Sequence, residues 1–186
     1  MGMGNKRKIS KFISLVLRHR PDLIGIELDG SGWVAITELV TKAKHAGVCL
    51  SEPEPLVRCI VDESDKQRFR ISEDGLRIRA NHGHSLPAVD LGLTPTAPPK
   101  VLFHGTARHL LNSIAAQGIV PGKRRMVHLS ESYEAAMENG KRHGLPEVIT
   151  VSASKMHGEG FLFYRSVSGV WLTERVLIDY VVRDVR

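Results

Sequence analysis

The sequence predicts an α+β protein built from two lobes, and three observations lead to that prediction. The first part of the chain carries apolar residues at helical spacing, followed by two short segments in which polar and apolar residues alternate. Residues 86–99 then contain four prolines and little charge, a composition typical of a linker. Beyond them, short apolar runs outnumber helical segments. We therefore expect one lobe over residues 1–85, a linker over 86–99 and a second lobe over 100–186.

A first helix is predicted from apolar residues at positions i, i+3, i+4, i+7 and i+8, namely Ile9, Phe12, Ile13, Val16 and Leu17. Pro21 is expected to end it. Arg18 falls opposite the apolar stripe, so we expect its side chain to point away from the lobe's core and to be able to meet a ligand. Six basic residues and no acidic one lie between Lys6 and Arg20. This cluster favours an anionic partner such as nucleic acid, although a solvated helix face has the same composition.

Two further helices are predicted after a small strand at 26–28 and a tight turn before Trp33. The second begins near Ile36 and stops at Gly47, and its inner face carries Ile36, Leu39, Val40 and Ala43. The third runs to about Asp62, and its inner face carries Leu56, Val57, Ile60 and Val61. Ser51 and Glu54 have the spacing of a capping box at its start.

A basic hairpin is predicted to follow, because two alternating segments flank the turn Asp74-Gly75. Side chains alternate along a strand, so the inner face would carry Phe69, Ile71, Leu76 and Ile78. The outer face would carry Arg68, Arg70, Arg77 and Arg79. Three helices followed by a hairpin is the order of a winged-helix module. Four arginines on one face favour phosphate binding over a merely solubilising surface.

Metal, disulfide and membrane functions are not indicated. His82 and His84 are separated by one glycine, but no further cysteine or carboxylate stands at ligand spacing, so we expect no metal site. Cys49 and Cys59 form no Cys-x-x-Cys pair, and nothing suggests a secreted disulfide framework. The chain has no apolar run of membrane-spanning length and no signal-peptide segment. We expect a cytoplasmic protein.

The second lobe opens on a short buried strand, Val101–Phe103, which leads into His104, Gly105 and Thr106. Gly105 would let a ligand approach the backbone closely, while His104 and Thr106 offer a ring nitrogen and a hydroxyl. Such a strand end could form the floor of a site for a sugar or nucleotide; the alternative is a buried histidine in a turn. A second strand, Val127–Ser130, again carries a histidine and a hydroxyl.

The remaining elements are a helix that ends at Gly118, a helix from Tyr133 to His143 capped by Ser130 or Ser132, and strands at 148–151, 161–164, 170–172 and 176–182. This order does not make a parallel βαβ array, and the chain has no GxGxxG motif or P-loop. The pattern fits a split antiparallel sheet, and a nucleotide bound there would not be held in a Rossmann manner.

Seven motifs stand in the order of one known family: Leu17–His19, Gly32–Val34, Asp65–Phe69, Gly83–Ser85, Phe103–Thr106, Val127–Ser130 and Phe163–Ser166 with Gly169–Thr173. From about Ile9 to Val182 the chain resembles the RNA 2′-phosphotransferases of the Tpt1/KptA family. The resemblance implies a winged-helix lobe joined to an ADP-ribosyltransferase-like lobe. In organisms that splice tRNA through a 2′-phosphate junction, the resemblance implies that this junction is the substrate; in other organisms the role could differ.

The reaction that the resemblance implies consumes NAD⁺. An internal RNA 2′-phosphate attacks the anomeric carbon of the nicotinamide ribose and expels nicotinamide. The ribose 2″-hydroxyl then attacks the transferred phosphorus, which releases 2′-hydroxyl RNA and ADP-ribose 1″,2″-cyclic phosphate. The implied partners are NAD and a tRNA-like RNA with an internal 2′-phosphate, and we expect a monomer.

The family uses an Arg-His-Arg-Arg set, and by motif Arg18, His19 and Arg68 are its first three members. For the fourth, the family commonly reads Arg-x-His-Val-His, whereas this chain has Met126 in place of the first histidine; counting back from His128 favours Arg124, with Arg125 as the alternative. The positions that resemble NAD contacts are His104, Gly105, Thr106 and Ser130. Arginine suits both steps, because its fork binds phosphate bidentately and stays charged.

Three other functions fit parts of the sequence. The chain could be a winged-helix nucleic-acid-binding regulator without catalysis. It could be an ADP-ribosyltransferase acting on nucleic-acid ends or on protein, for which Glu159 and Glu174 are available as the catalytic carboxylate. A metal hydrolase built on His82 and His84 is the third alternative.

Overall fold

The protein forms two compact units, Met1–Gly92 and Leu93–Arg186. The computed structural model describes residues 3–48, 53–62 and 67–182. Each unit combines helices with small antiparallel sheets, which confirms the α+β class. None of the described helices is both long and apolar enough to cross a membrane.

Among its described residues, the first unit contains three helices and a three-stranded sheet. The helices are α1 (Met3–Arg18), α2 (Ile36–His45) and α3 (Pro53–Asp62), with a 3-10 turn at Pro21–Leu23. The strands are β1 (Val34–Ala35), β2 (Phe69–Ile71) and β3 (Arg77–Ala80). They pair antiparallel in the order β1-β3-β2, and the register places Arg70 directly opposite Arg79.

Helical periodicity predicts the core of this unit well. The apolar stripe of α1 is buried apart from Phe12, which is partly buried, and the four inner residues predicted for α2 are all buried. Two predictions are wrong. Residues 26–28 form no strand, although Ile26 is buried, and Leu76 is 66% exposed rather than inward-facing. Leu76 lies in the turn before β3, where the alternation of a strand does not yet apply. Ser51 of the predicted capping box lies outside the described residues.

The second unit contains six strands and three helices among its described residues, with 3-10 turns at Arg108–Leu110 and Ile178–Tyr180. The strands are β4 (Leu102–Ala107), β5 (Val127–Leu129), β6 (Pro146–Val151), β7 (Tyr164–Arg165), β8 (Trp171–Thr173) and β9 (Val181–Val182). The helices are α4 (Leu111–Gln117), α5 (Tyr133–Gly140) and α6 (Ala153–Gly158).

Two three-stranded antiparallel sheets, β4-β6-β9 and β5-β8-β7, form the centre of this unit. They meet where Phe103 and Ser130 exchange both backbone hydrogen bonds, at 2.9 and 2.8 Å. A single core, with Leu102, Leu129 and Phe163 at its centre, spans both sheets. The bridge places the end of β5 beside β4, so the two histidine-bearing segments of this unit lie next to each other.

Some boundaries in the second unit differ from the predicted ones. The predicted strand 176–182 is interrupted by the 3-10 turn, because Val176 bridges to Ile119 and only 181–182 pair with β6. Helix α5 ends at Gly140 instead of His143, and Ser132 Oγ caps its start by accepting from the Ala135 N–H. Helix α6 has no counterpart in the predicted elements.

The segment 86–99, interpreted as a linker, contributes to both units. On one side, Val89 is buried and the Asp90 N–H donates to the Gly30 carbonyl at 2.8 Å. On the other, the Thr96 N–H donates to the Phe163 carbonyl at 2.8 Å. The division between the units falls after Gly92.

Candidate functional site

Arg18 is buried at the end of α1, with 9% of its surface exposed, so the predicted outward orientation is wrong. Its Nη2 donates to the Arg68 carbonyl at 3.3 Å, and its guanidinium carbon lies 6.0 Å from the centre of the Phe69 ring. Helical periodicity describes only contacts made by the helix face. The loop that follows β3 covers the last turn of α1, and that contact is not local in sequence. The guanidinium is therefore held in place by its neighbours.

The loop Asn81–Ser85 joins Arg18, His19 and Arg68 into one cluster. The Ser85 N–H donates to the Arg18 carbonyl at 2.9 Å, and Ser85 Oγ lies 3.0 Å from Nδ1 of His19. The Asn81 N–H donates to the Arg68 carbonyl at 2.9 Å, so the β2–β3 ladder continues to Arg68. The three predicted catalytic residues of this unit are thus neighbours, and backbone hydrogen bonds fix their positions.

Gly83 leaves room for the Arg18 guanidinium within this loop. Its φ is +86°, and a Cβ there would lie 3.5 Å from Nη1 of Arg18. A side chain larger than alanine would therefore compete with the arginine for the same space. Around the neighbouring His82 and His84, no group of metal-ligand type gathers among the residues that the structure describes.

His104 on β4 is held by the neighbouring strand, with its Nδ1 3.0 Å from the His128 carbonyl. Because a carbonyl can only accept, Nδ1 carries the hydrogen. Burial is the main cause that lowers the pKa of His104, and the charges of Arg124 and His143 add to it. The ring is therefore neutral near pH 7, and its Nε2 is an acceptor that can receive a hydrogen bond from a hydroxyl group.

The charge of one of the two candidates for the fourth arginine reaches His104. Arg124 is close enough for its charge to lower the pKa of His104. Partial burial lowers the pKa of Arg124, and the charge of Arg142 lowers it further. Positive groups from three segments thus share one region, which suits an anionic ligand. Sequence reasoning missed Arg142 and His143, because they follow α5 in a turn with no recognised pattern.

Gly105 does not leave space for a ligand, contrary to the interpretation from sequence. A Cβ on Gly105 would overlap the carbonyl of Ala136 in α5 and would lie 2.9 Å from the Gly140 nitrogen. A Cβ on Gly140 would in turn lie 2.6 Å from the Thr106 carbonyl oxygen. The two glycines therefore let α5 pack directly on β4. Side chains alternate along β4, so His104 and Thr106 lie on the opposite face.

Thr106 and Ser130 complete the set predicted to contact a cofactor. Thr106 is only 2% exposed, so its hydroxyl lies inside the unit rather than at an open strand end. Ser130 is partly exposed, and its backbone forms the bridge to Phe103 that joins the two sheets. Of the predicted set, His104 and Ser130 are thus brought to neighbouring positions with partial exposure, while Gly105 serves packing.

Comparison with known proteins identifies the family. Residues 4–175 match the sequence profile of the RNA 2′-phosphotransferase, Tpt1/KptA family. A probable RNA 2′-phosphotransferase of Acaryochloris marina is 52% identical over 176 residues, covering 95% of this chain and 96% of the relative. Proteins of the same name from Agrobacterium fabrum and Pseudomonas aeruginosa are 48% and 46% identical, each over 92% of this chain. The chain belongs to the RNA 2′-phosphotransferase family.

Membership of this enzyme family confirms the resemblance seen in the sequence motifs, and it does not favour the regulator, protein-modifying or metal-hydrolase alternatives. The hydrogen bonding of Glu159 agrees with the family assignment, because its carboxylate is occupied within the unit. The Tyr180 hydroxyl donates to its carboxylate at 2.5 Å, and that bond raises the pKa of Tyr180 to about 12. One of the two glutamates considered for a transferase role is thus bound to a buried tyrosine of the same unit.

Proposed function

We propose that this protein is an NAD-dependent RNA 2′-phosphotransferase that removes an internal 2′-phosphate from RNA. The match to the family over residues 4–175 carries this proposal. The expected products are 2′-hydroxyl RNA, nicotinamide and ADP-ribose 1″,2″-cyclic phosphate. NAD would supply the ribose carbon that the phosphate attacks and the adjacent hydroxyl that takes the phosphorus from RNA.

The first unit, as a winged-helix module, would bind the RNA phosphate through Arg18, His19 and Arg68. A 2′-phosphate is already ionised at neutral pH, so the residues around it must position it and neutralise its charge rather than act as a strong base. The buried Arg18 suits this role, because its guanidinium is fixed by the Arg68 carbonyl and the Phe69 ring before substrate arrives. Preorganised donors lose little entropy when they bind phosphate.

His19 would provide an adjustable hydrogen bond beside these arginines. Ser85 Oγ lies 3.4 Å from the Arg18 carbonyl and 3.0 Å from Nδ1 of His19, so it can donate to the first and accept from the second. In that arrangement His19 would contact the RNA through Nε2. A bound phosphate dianion favours the doubly protonated ring, in which Nε2 donates.

The second unit, as an ADP-ribosyltransferase-like module, would bind NAD. Two observations support this assignment. Nε2 of the neutral His104 can accept a hydrogen bond from a ribose hydroxyl, and the charges of Arg124 and Arg142 lie in the same region, where a pyrophosphate would be stabilised. Arg124 would also stabilise the charge that builds on the nonbridging oxygens while phosphorus is transferred.

The test is to incubate the full chain with NAD⁺ and a short RNA bearing one internal 2′-phosphate, and to identify both products by mass. We expect the RNA to lose the mass of one phosphate and ADP-ribose cyclic phosphate to form. Arg18→Ala should lower the rate by about 10²-fold or more, as expected for the loss of one preorganised donor to a charged transition state.

Arg20→Ala is the matched control, because Arg20 follows the same helix but is exposed and paired with Asp22 at 2.9 Å. Its rate should stay near that of the unchanged protein. Absence of both products, or equal rates in the Arg18 and Arg20 variants, would contradict the proposal. A monomeric state and a cytoplasmic location remain predictions; light scattering in solution checks the first.

A further inference from the structure

Three arginines surround one indole on the outer face of the first unit's sheet. The guanidinium carbons of Arg70, Arg77 and Arg79 lie 5.4, 5.6 and 4.7 Å from the centre of the Trp33 ring. We call Trp33 with these three arginines the Trp33 surface. Cation–π contacts at these distances orient the guanidinium groups, so their N–H donors are held toward a common region.

Among the residues that the structure describes, two of the three charges have no carboxylate partner. Arg70 stands directly opposite Arg79 in the β2–β3 register, an arrangement that costs free energy for like charges. Arg79 Nη1 donates to the Ser31 carbonyl at 3.1 Å, whereas its buried Nε has no hydrogen-bond partner in the described part of the chain. Arg70 makes no ion pair with any residue that the structure describes.

Arg77 differs from its neighbours because Asp29 lies 3.7 Å from its Nη1. Burial, and then the charge of Arg70, lowers the pKa of Arg79, while Asp29 opposes this only weakly. Within the described part of the first unit, the positive charge without a counterion is therefore concentrated on the Arg70–Arg79 pair. An anion placed between them would offset the repulsion between the two guanidinium groups.

A groove of about 540 Å³ adjoins Arg70, the member of this pair that lines it, together with Trp33, Arg77 and the hairpin turn from Ile71 to Asp74, which includes the acidic Glu73. The carboxylate of Asp74 accepts from Ser72 Oγ and from the Leu76 N–H, so it is already engaged in the turn. A volume of this size accommodates a nucleotide rather than a single small ion.

The position of the groove relative to Arg68 indicates which anion belongs there. Arg68 and Arg70 are two residues apart on one extended ladder, so they lie on the same face about 7 Å apart. A phosphate at Arg68 and one at Arg70 would thus belong to adjacent nucleotides of one strand. We infer that the Trp33 surface binds the RNA strand next to the reacting nucleotide, with a backbone phosphate between Arg70 and Arg79; this inference rests on the proposed function.

The test compares two substrates, a dinucleotide that carries the 2′-phosphate and a longer single-stranded RNA with the same modification. For Arg70→Ala we expect KM for the longer RNA to rise about fivefold to tenfold, with kcat unchanged and the dinucleotide unaffected. The salt dependence of binding to the longer RNA should weaken by about one phosphate contact.

Lys44→Ala is the control, because Lys44 is an exposed basic residue on α2 of the same unit and lies outside the Trp33 surface. It should keep KM within about twofold, on the scale expected for surface charges outside a site. Equal effects of the Arg70 and Lys44 variants, or an Arg70 effect that is the same on both RNAs, would overturn the inference.

The two proposals fail separately in this design. If the protein turns over neither RNA, the proposed activity is wrong, but fluorescence anisotropy with the longer RNA still measures whether Arg70→Ala weakens binding. If turnover occurs and Arg70→Ala binds the longer RNA as tightly as the unchanged protein, only the inference about the Trp33 surface is wrong. Arg70 is exposed, so its replacement should not prevent folding.

Discussion

Replacing Gly105 by alanine tests whether this residue serves packing or ligand binding. The new Cβ would lie 1.8 Å from the Ala136 carbonyl oxygen and 2.9 Å from the Gly140 nitrogen. A Cβ needs at least about 3.0 Å to an oxygen, so α5 would have to move away from β4 by about 1.2 Å. Both obstructing groups are backbone, which cannot rotate aside, so we expect a loss near the upper end of overpacking costs, about 3 kcal/mol.

A loss of this size should lower the melting temperature of the second unit by more than about 10 °C, because it has fewer than 100 residues. In a Trp33→Phe background, Trp171 is the single tryptophan of the chain. Tryptophan fluorescence recorded during heating then reports the unfolding of the second unit alone. Gly158→Ala is the control: a Cβ there meets nothing within 4 Å, and its melting temperature should stay within a few degrees. If Gly105→Ala melted like the unchanged protein but lost NAD affinity, the packing explanation would be wrong.

Two further predictions concern the second unit. Burial lowers the pKa of His104 below 6.5, so the unfolded chain takes up a proton near pH 6.5 while the folded ring stays neutral. The stability that His104 contributes is therefore fully present above that pH and is lost as the pH falls below it; the melting temperature of the second unit should fall between pH 7 and 5, and His104→Asn should flatten that dependence. For the fourth arginine, Arg124→Ala should weaken binding of NAD⁺ or ADP-ribose by about tenfold or more, as for a lost charge-assisted hydrogen bond. Arg125→Ala should change it by less than about threefold; titration calorimetry measures both, and the reverse order would reassign the residue.

The parts of the fold that sequence predicts well are those determined by local periodicity. Helix α2 is the clearest case: its inner residues Ile36, Leu39, Val40 and Ala43 are all buried. A helix that packs one face on a core must repeat its apolar residues at that spacing, so the pattern carries the information. The strand predicted for 176–182 fails for the complementary reason. An apolar run specifies burial but not direction, and here the backbone turns after pairing at Val176.

The candidate site is less accessible to such reasoning because its environment is made by distant segments. Arg18 was assigned to the outer face of α1, yet the loop containing Gly83 and Ser85 covers it. Gly105 was assigned to a ligand because glycine permits close approach; it does so here, but the approaching group is the backbone of α5. In both cases the residue type indicated a close contact, but the sequence did not indicate which segment of the chain makes that contact. Sequence spacing does not specify which distant elements pack together.

The burial of Arg18 has a consequence for how this unit would hold phosphate. A solvent-exposed arginine gains little from an ion pair, because water screens the charge and the side chain loses its freedom on binding. Arg18 has already lost that freedom: the Arg68 carbonyl and the Phe69 ring fix its guanidinium, and Gly83 leaves the space it occupies. The side-chain entropy of Arg18 is therefore lost when the protein folds, and no further loss is needed when phosphate binds. The same logic applies to Arg70 and Arg79, which the Trp33 ring orients, and it explains why an indole stands beneath a basic hairpin whose solubility would not require one.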